Sequence, residues 1–257
     1  IEIIMLPIHK MKNILKAELI KEKRSANFKL LLIVPIGFLI FNLVMGSLMA
    51  PDPEGKSYLI ATTFNWFPIL ILPIIISLLT ANILKKEKQG QLNLQKRLGL
   101  DNKKIKLAKA LVVILELFVI IVLSSLITYI IGGLLLGKNI SLGLVLKAGL
   151  VLFAGSLSIV GFSFLLMSLV NKSFVIIILN FIMSLVSPIP PTSNMWKFYP
   201  HSYSLRMLAP VIGVHPNGTF LEKGSELWNT QVIPIAIALS FVLFAVFITL
   251  SLLRKDK

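Results

Sequence analysis

Residues 110–136 read ALVVILELFVIIVLSSLITYIIGGLLL, an apolar stretch that contains a single charged residue, Glu116. An α-helix rises about 1.5 Å per residue and the hydrocarbon layer of a membrane is roughly 30 Å thick, so about 20 apolar residues suffice to cross it. This stretch exceeds that length. The sequence therefore predicts a helix that spans a lipid bilayer.

Further apolar stretches lie on both sides of this one. Four of them are long enough to cross a membrane, namely residues 30–49, 61–84, 148–170 and 232–253. Another, residues 173–187, is shorter and ends at the prolines of 188–191, through which a helix does not readily continue. This short stretch can cross the membrane if the bilayer is locally thinner. Alternatively, the segment after the prolines turns back into the membrane, where surrounding protein shields it from lipid. We predict an all-α, polytopic membrane protein with six spans and a short fifth span.

Composition agrees with this class. The 257 residues are 56% hydrophobic and only 14% charged, which is unlike a water-soluble domain. The chain has no cysteine, which excludes disulfides, thiolate metal sites and a cysteine nucleophile. Lysine outnumbers arginine 22 to 4, a bias that favours a bacterial source and hence a bacterial cell membrane.

The basic residues predict the orientation. Of the 26 Lys and Arg residues, 20 fall on one side of a six-span topology and 6 on the other. Because loops rich in Lys and Arg stay inside, we expect both termini to be cytoplasmic. Trp and Tyr favour the membrane interface, and all seven fall in the outer half of this topology: Tyr58, Trp66, Tyr129, Trp196, Tyr199, Tyr203 and Trp228.

Residues 1–29 are expected to form a basic amphipathic helix on the inner leaflet ahead of the transmembrane domain of residues 30–253. Apolar residues recur there at helical spacing, and lysines lie on the other faces of the helix. The apolar residues are Ile4, Ile8, Met11, Leu15 and Leu19. The alternative is a solvated basic tail. Since Met11 resembles a natural start, residues 1–10 are expected to be an added extension, and residues 254–257 a cytoplasmic tail.

No residue pattern predicts an enzyme. The chain has three histidines and lacks both His-Glu-x-x-His and Gly-x-Ser-x-Gly. We therefore expect no catalytic, cofactor or metal site and no nucleic-acid partner. Glu116 is the charged residue inside a predicted span. A carboxylate in the membrane raises the free energy of the folded protein unless it is paired, protonated or hydrated. It either contacts a cationic substrate in an inner cavity or pairs with Lys109 or with a cation of a neighbouring helix.

The loop of residues 85–109 carries the most informative pattern. Residues 84–101 read LKKEKQGQLNLQKRLGLD. Gly99 suits a helix C-terminal cap and Asp101 the N-cap of the next helix, so a short amphipathic helix and a tight turn are predicted before the third span. Such a helix can transmit motion from a soluble partner. The alternative is a basic loop that only fixes topology.

Here the sequence resembles the permease subunits of type-2 ABC exporters, and among them the lantibiotic-immunity or bacitracin-resistance permeases. The shared motif is a Glu, a Gly three residues later, a Leu and then a Lys before the third span, matched by Glu87, Gly90, Leu92 or Leu94, and Lys109. The chain lacks the Pro that many relatives have near Leu100. The coupling residues that this resemblance implies are Glu87, Gly90, Gln91, Leu92, Leu94, Leu98 and Lys109.

The resemblance also implies partners. The chain would have no ATPase site of its own, would pair with a second identical or related permease, and would bind two cytoplasmic ATP-binding subunits that hold ATP and Mg²⁺. Residues 87–98 would dock in a groove of the ATPase. The implied substrate is a cationic amphipathic antimicrobial peptide, which is removed from the membrane. The alternatives are a membrane sensor or immunity protein that binds such a peptide without transport, and an exporter of another lipophilic substrate.

The outer segment, residues 188–231, is rich in aromatic residues and contains a short helical pattern at Leu205, Leu208 and Ile212. That helix either re-enters the membrane or lies in the outer interface. Aromatic rings and carboxylates suit a cationic amphipathic peptide, although they also serve to anchor a segment in the headgroup layer. With Glu116, the candidate substrate contacts are Trp196, Tyr199, Tyr203, Arg206, Glu222, Glu226 and Trp228.

Overall fold

The structure, a computed structural model, describes residues 2–48, 52–53, 56–137 and 140–254, and it does not describe the side chains of residues 2–10 or of Lys96. Predictions for the other residues, including most of the tail at 254–257, lie outside the described residues. Ten α-helices and no β-strand occur in the described ranges. The helices are α1 (Glu2–Glu22), α2 (Ala26–Leu48), α3 (Tyr58–Trp66), α4 (Leu72–Lys85), α5 (Gln89–Arg97), α6 (Asn102–Tyr129), α7 (Leu142–Val170), α8 (Ser173–Val186), α9 (Tyr203–Ile212) and α10 (Val232–Leu253).

Two π-helical segments lengthen the spans. Residues Phe67–Ile71 join α3 to α4 without a break, and Ile130–Leu135 continue α6. Pro68 lies in the first π-helical segment and Pro73 follows it, and each removes one backbone donor from the helix. The second span is therefore one continuous helix that changes from α-helical to π-helical hydrogen bonding in its middle and back again.

Six helical stretches are long and apolar enough to cross a membrane, as predicted. They are Ala26–Met45, Tyr58–Lys85, Asn102–Leu135, Leu142–Val170, Ser173–Thr192 and Val232–Leu253. The regular helix of the fifth span, α8, has only 14 residues, which confirms that this span is short. Short 3₁₀ turns carry the chain on from the end of α8 to α9.

The central helix is α7, which packs against α4, α6, α9 and α10. Glycines allow two of these contacts to be close. A Cβ added at Gly155 would lie 2.8 Å from the Cα of Ser204 in α9, and one at Gly161 would lie 2.9 Å from the Cα of Phe244 in α10. Small residues at such contacts are typical of helix packing inside lipid.

The bundle has two chemically different ends. We call the end formed by α1, α5 and the adjoining ends of α4 and α6 the basic end. The opposite end, formed by residues 188–231 and the start of α3, is the aromatic end. Helix α9 is almost entirely buried and packs against α7, and the Ser204 hydroxyl donates to the Leu152 carbonyl in the first half of α7. The segment that precedes α9 therefore packs back against the helical bundle.

Helix α1 differs from its predicted form in extent. It ends at Glu22 rather than at residue 29. A turn follows, and the Ser25 hydroxyl accepts a hydrogen bond from the Phe28 amide at 3.1 Å, which caps α2.

The buried face of α1 also differs from the predicted stripe. Ile14 packs with Ile105 and Ala108 of α6, and Met11 and Leu15 adjoin this cluster. Leu19, predicted to be on the apolar face, is exposed, while Glu18 and Glu22 are buried. These acidic side chains are paired, Glu22 with Lys86 after α4 and Glu18 with Lys21 of α1 itself. The side chains of Ile4 and Ile8 lie outside the described residues.

Candidate functional site

Helix α5 ends near Gly99, and the next helix begins after Asp101, as the sequence predicted. The Gln91 side-chain carbonyl accepts a hydrogen bond from the Lys88 amide at 3.0 Å, just before the helix begins. At its other end Gly99 has a φ of +62°, the left-handed conformation that favours glycine. The Asp101 carboxylate then accepts from the Lys103 amide at 2.9 Å and caps α6. The contact of Gln91 at one end and the turn at Gly99 at the other therefore define α5 as a short helix between two spans.

The Glu87 carboxylate joins three helices at the basic end. It forms an ion pair with Lys109 of α6, and its Oε1 lies 2.9 Å from Nζ of Lys21 in α1. The Gln95 amide of α5 donates to the same Oε1 at 2.7 Å. The Glu87 side chain is only 5% exposed. We refer to Lys21, Glu87, Gln95 and Lys109 as the Glu87 network.

The electrostatics of this network favour the ionised form of Glu87. Burial alone would raise the pKa of the Glu87 carboxyl, but the hydrogen bonds from Lys109 and Lys21 outweigh burial and lower the pKa from 4.5 to about 2. Burial likewise opposes the charge of Lys21, and its bonds to Glu18 and Glu87 raise its pKa above 10.5. Both partners are therefore charged at neutral pH.

A second set of contacts adjoins the first. The ammonium of Lys86 lies 2.9 Å from the carboxylate of Glu22, and it also donates to the backbone carbonyl of Lys21. Neighbouring residues 86 and 87 thus both hold the end of α1. The sequence did not indicate the roles of Lys21, Glu22, Lys86 and Gln95, because these contacts join residues that are distant along the chain.

The other predicted coupling residues lie on the surface of α5. Leu94 and Leu98 are 57% and 65% exposed. Gly90 and Gln91 are exposed as well, and Leu92 is half-buried. No atom lies within 4 Å of the place where a Gly90 side chain would begin. Glu87 and Lys109 therefore lie beneath α5, whereas the leucines face outward.

Glu116 does not pair with Lys109, whose ammonium binds Glu87 instead. The Glu116 carboxylate, 5% exposed, accepts a hydrogen bond at 2.8 Å from the side-chain amide of Asn27 in α2. Glu22 and Lys86 are its charged neighbours. The predicted pairing with Lys109 is therefore wrong: both residues lie on α6, but the Lys109 ammonium is taken by Glu87, which precedes α5. In the described ranges, no three His, Asp or Glu side chains cluster to hold a metal.

Three of the predicted substrate contacts are buried within the aromatic end. Trp196 packs edge-on against Tyr203, whose hydroxyl donates to the Lys197 carbonyl at 2.8 Å. Arg206 donates from its two terminal nitrogens to the carbonyls of Leu227 and Glu226, each at 3.3 Å. In this conformation these side chains hold the segment together and do not face the outside.

The remaining candidates at this end are accessible. Trp228 is 45% exposed; its ring covers Gly213 and its indole donates to the Glu222 carbonyl at 3.0 Å. The side chains of Glu222 and Glu226 are exposed beside it. Tyr199 is half-buried, and its hydroxyl donates to the Met183 carbonyl of α8 at 2.6 Å.

A buried polar contact that the sequence did not indicate anchors the returning segment. His201 lies 3.1 Å from the Asn180 side-chain oxygen in the middle of α8. The Asn180 amide donates to the hydroxyls of Ser77 in α4 and Ser163 in α7, at 2.7 and 2.8 Å. Helix α8 is thereby tied to three other elements.

The sequence matches the family described as "ABC-2 family transporter protein" over residues 14–187. This match covers more than half of the chain. The protein belongs to the ABC-2 transporter family. It is therefore a multi-pass membrane permease and a transport subunit, and the family associates with ATP-binding subunits. A search of curated proteins and of solved structures found no match.

Proposed function

We propose that this ABC-2 permease exports its substrate with work that enters through α5. The observation that carries the proposal is the Glu87 network, which joins the linker before α5 to α1 and α6 through buried charges. The exposed leucines of α5 form the surface for an ATPase, and the ion pairs below it connect that surface to two helices. A displacement of α5 is then passed to the third span through Lys109.

Orientation and partners belong to the same proposal. The basic end faces the cytoplasm of a bacterial cell, so both termini are cytoplasmic, and this placement follows the excess of Lys and Arg. Two ATP-binding subunits, which hold the ATP and Mg²⁺, dock at the basic ends of two permeases, identical or related. This chain itself contributes no nucleotide site.

The substrate that we propose is a cationic amphipathic peptide with antimicrobial action, as in lantibiotic immunity. The supporting feature is the accessible part of the aromatic end, where Glu222, Glu226 and Trp228 place two carboxylates beside an exposed indole. Such a surface attracts a peptide that has basic and apolar faces. Tyr199 instead contacts α8 and His201, and Glu116 lies at the basic end.

The docking surface is tested by co-purification of the permease with its ATPase. Leu94→Asp and Leu98→Asp each place a charge in the proposed contact, and we expect at least a roughly tenfold loss of recovered ATPase, since a buried unpaired charge is strongly unfavourable at an interface. Asn93→Asp introduces the same charge on the same helix and is the control. Equal recovery with all three variants contradicts docking through the leucines.

A separate measurement distinguishes export from binding without transport. Cells that carry the permease with a hydrolysis-deficient ATPase are challenged with a cationic peptide. An exporter loses its protection in this background, whereas an immunity protein that only binds the peptide retains it. Retained protection would overturn the export mechanism while leaving the docking surface intact.

A further inference from the structure

A cavity of about 310 Å³ opens at the basic end, between the turn that joins α1 to α2 and the last turn of α4. Three basic residues, Arg24, Lys85 and Lys86, and one acidic residue, Glu22, line it. Glu22 binds Lys86 at 2.9 Å and also accepts a hydrogen bond from the Ser25 hydroxyl. The one acid in the lining is therefore already neutralised.

The other two cations remain available. Arg24 and Lys85 are exposed. Within the described ranges neither side chain has a hydrogen bond or an ion pair with protein. The cavity consequently presents two uncommitted positive charges, and its charge complements an anion.

The wall of the cavity adds donors and one unsatisfied acceptor. Helix α2 begins at Ala26 and directs the positive end of its dipole toward the cavity. The fully buried Asn27 uses its amide nitrogen for the Leu79 carbonyl and Glu116. Its oxygen has no hydrogen-bond partner in the described part of the chain. An occupant with a negative group complements Arg24, Lys85 and the start of α2.

The position of the cavity indicates where such an occupant comes from. It lies where two membrane spans end, since one begins at Ala26 and another finishes at Lys85. Along α2 Lys29 is exposed, and two apolar residues near it, Phe28 and Leu32, are 45% and 58% exposed. A molecule with its polar group in the cavity would thus lay its hydrocarbon chain against these side chains, at the headgroup level of the adjacent leaflet.

We propose that this cavity binds the headgroup of an anionic glycerophospholipid from the leaflet around the basic end. The phosphate lies between Arg24 and Lys85. The proposal requires only that α2 and α4 cross the bilayer, so it is independent of ATPase docking. Because Glu22 and Lys86 adjoin the Glu87 network, the bound lipid also stabilises the junction of α1 with α4.

The experiment titrates the purified full-length chain in detergent with phosphatidylglycerol, phosphatidylcholine and inorganic phosphate while its thermal unfolding is measured. The site variant is Arg24→Gln with Lys85→Gln. The control, Lys12→Gln with Lys16→Gln, removes the same charge from exposed positions of α1. We expect the site variant to bind phosphatidylglycerol about thirtyfold more weakly and the control within about twofold of the native chain.

Three outcomes would overturn the proposal. Equal weakening in the site variant and the control shows general attraction to a basic surface. Equal stabilisation by phosphatidylcholine removes the selection for an anionic headgroup, and equal stabilisation by inorganic phosphate assigns the site to a free anion. Because both mutated side chains are exposed and unpaired, the variant is expected to fold without lipid, and native mass spectrometry then counts the bound lipid directly.

Discussion

At the basic end, the Glu87 carboxylate joins α1 and α6 through ion pairs and α5 through the Gln95 amide, whereas at the aromatic end residues 188–231 are held by ring packing and by hydrogen bonds to backbone carbonyls. Lys21 and Lys109 bind the Glu87 carboxylate, while Tyr199 and Tyr203 donate to backbone carbonyls. Paired opposite charges therefore stabilise the basic end, whereas ring packing and bonds to carbonyls stabilise residues 188–231. The two ends should therefore respond differently to charge removal, packing changes and pH.

The largest expected effect is that of removing the charge at the basic end. Glu87→Ala leaves Lys109 buried without a partner, and we expect a loss of about 3 kcal/mol of unfolding free energy. Thermal or denaturant unfolding of the purified chain measures it. The matched variant at the aromatic end, Glu226→Ala, removes an exposed carboxylate and should change stability by less than about 0.5 kcal/mol. Similar losses from both variants would remove the distinction between the ends.

The second effect concerns packing. In Gly155→Ala the new methyl group meets the backbone of Ser204 at 2.8 Å, so α7 and α9 must separate. We expect a destabilisation of about 2 kcal/mol, by the same unfolding measurement. Gly90→Ala in α5 is the control, because its methyl group meets no atom within 4 Å, and its effect should stay below about 0.5 kcal/mol. A neutral Gly155→Ala would show that the returning segment is loosely packed.

A smaller effect is expected from one hydrogen bond at the aromatic end. Tyr199→Phe removes the donor to the Met183 carbonyl and should cost about 1 kcal/mol. Tyr58→Phe serves as the control, because no hydrogen bond from its hydroxyl occurs in the described residues. Unfolding of both variants at two salt concentrations gives a further check. The cost at Tyr199 should not depend on salt, since neither partner is charged.

The smallest effect near neutrality is that of pH on the Glu87 network. The pKa of Glu87 is lowered in the folded chain, so its contribution is fully present above pH 4.5 and is lost as the pH falls toward about 2. The difference in stability between the native chain and Glu87→Gln should thus be constant from pH 8 to pH 5 and shrink below that range. A difference that changes between pH 7 and pH 6 would contradict this assignment.

The spans and local caps could be predicted from the sequence because they depend on neighbouring residues. Apolar length gave the six crossings, and Gly99 and Asp101 marked the ends of two helices through their own backbone preferences. The partner of Lys109 could not be predicted in this way. Helical spacing placed Glu116 on the same face, but the choice of Glu87 depends on how α5 and α1 approach α6 in space.

The site at the aromatic end shows the same limit. Residue type correctly suggested rings and charges in one segment, but it did not separate buried from exposed members. Trp196 and Trp228 are the same residue type, yet one is 3% and the other 45% exposed. Their difference arises from the return of the chain before α9, which no local pattern specified. His201 and Asn180 hold that return through a contact between separate elements.

The π-helical segment at Phe67–Ile71 has a consequence for how this chain tolerates change in length. In a regular α-helix, loss of one residue turns everything beyond it by roughly 100° and misplaces every later side chain. A π-helical turn already holds one residue more than an α-helical turn, so a deletion there can be absorbed by reversion to the ordinary repeat. The second span should thus tolerate the deletion of one residue in this segment, with both of its halves still facing their existing neighbours.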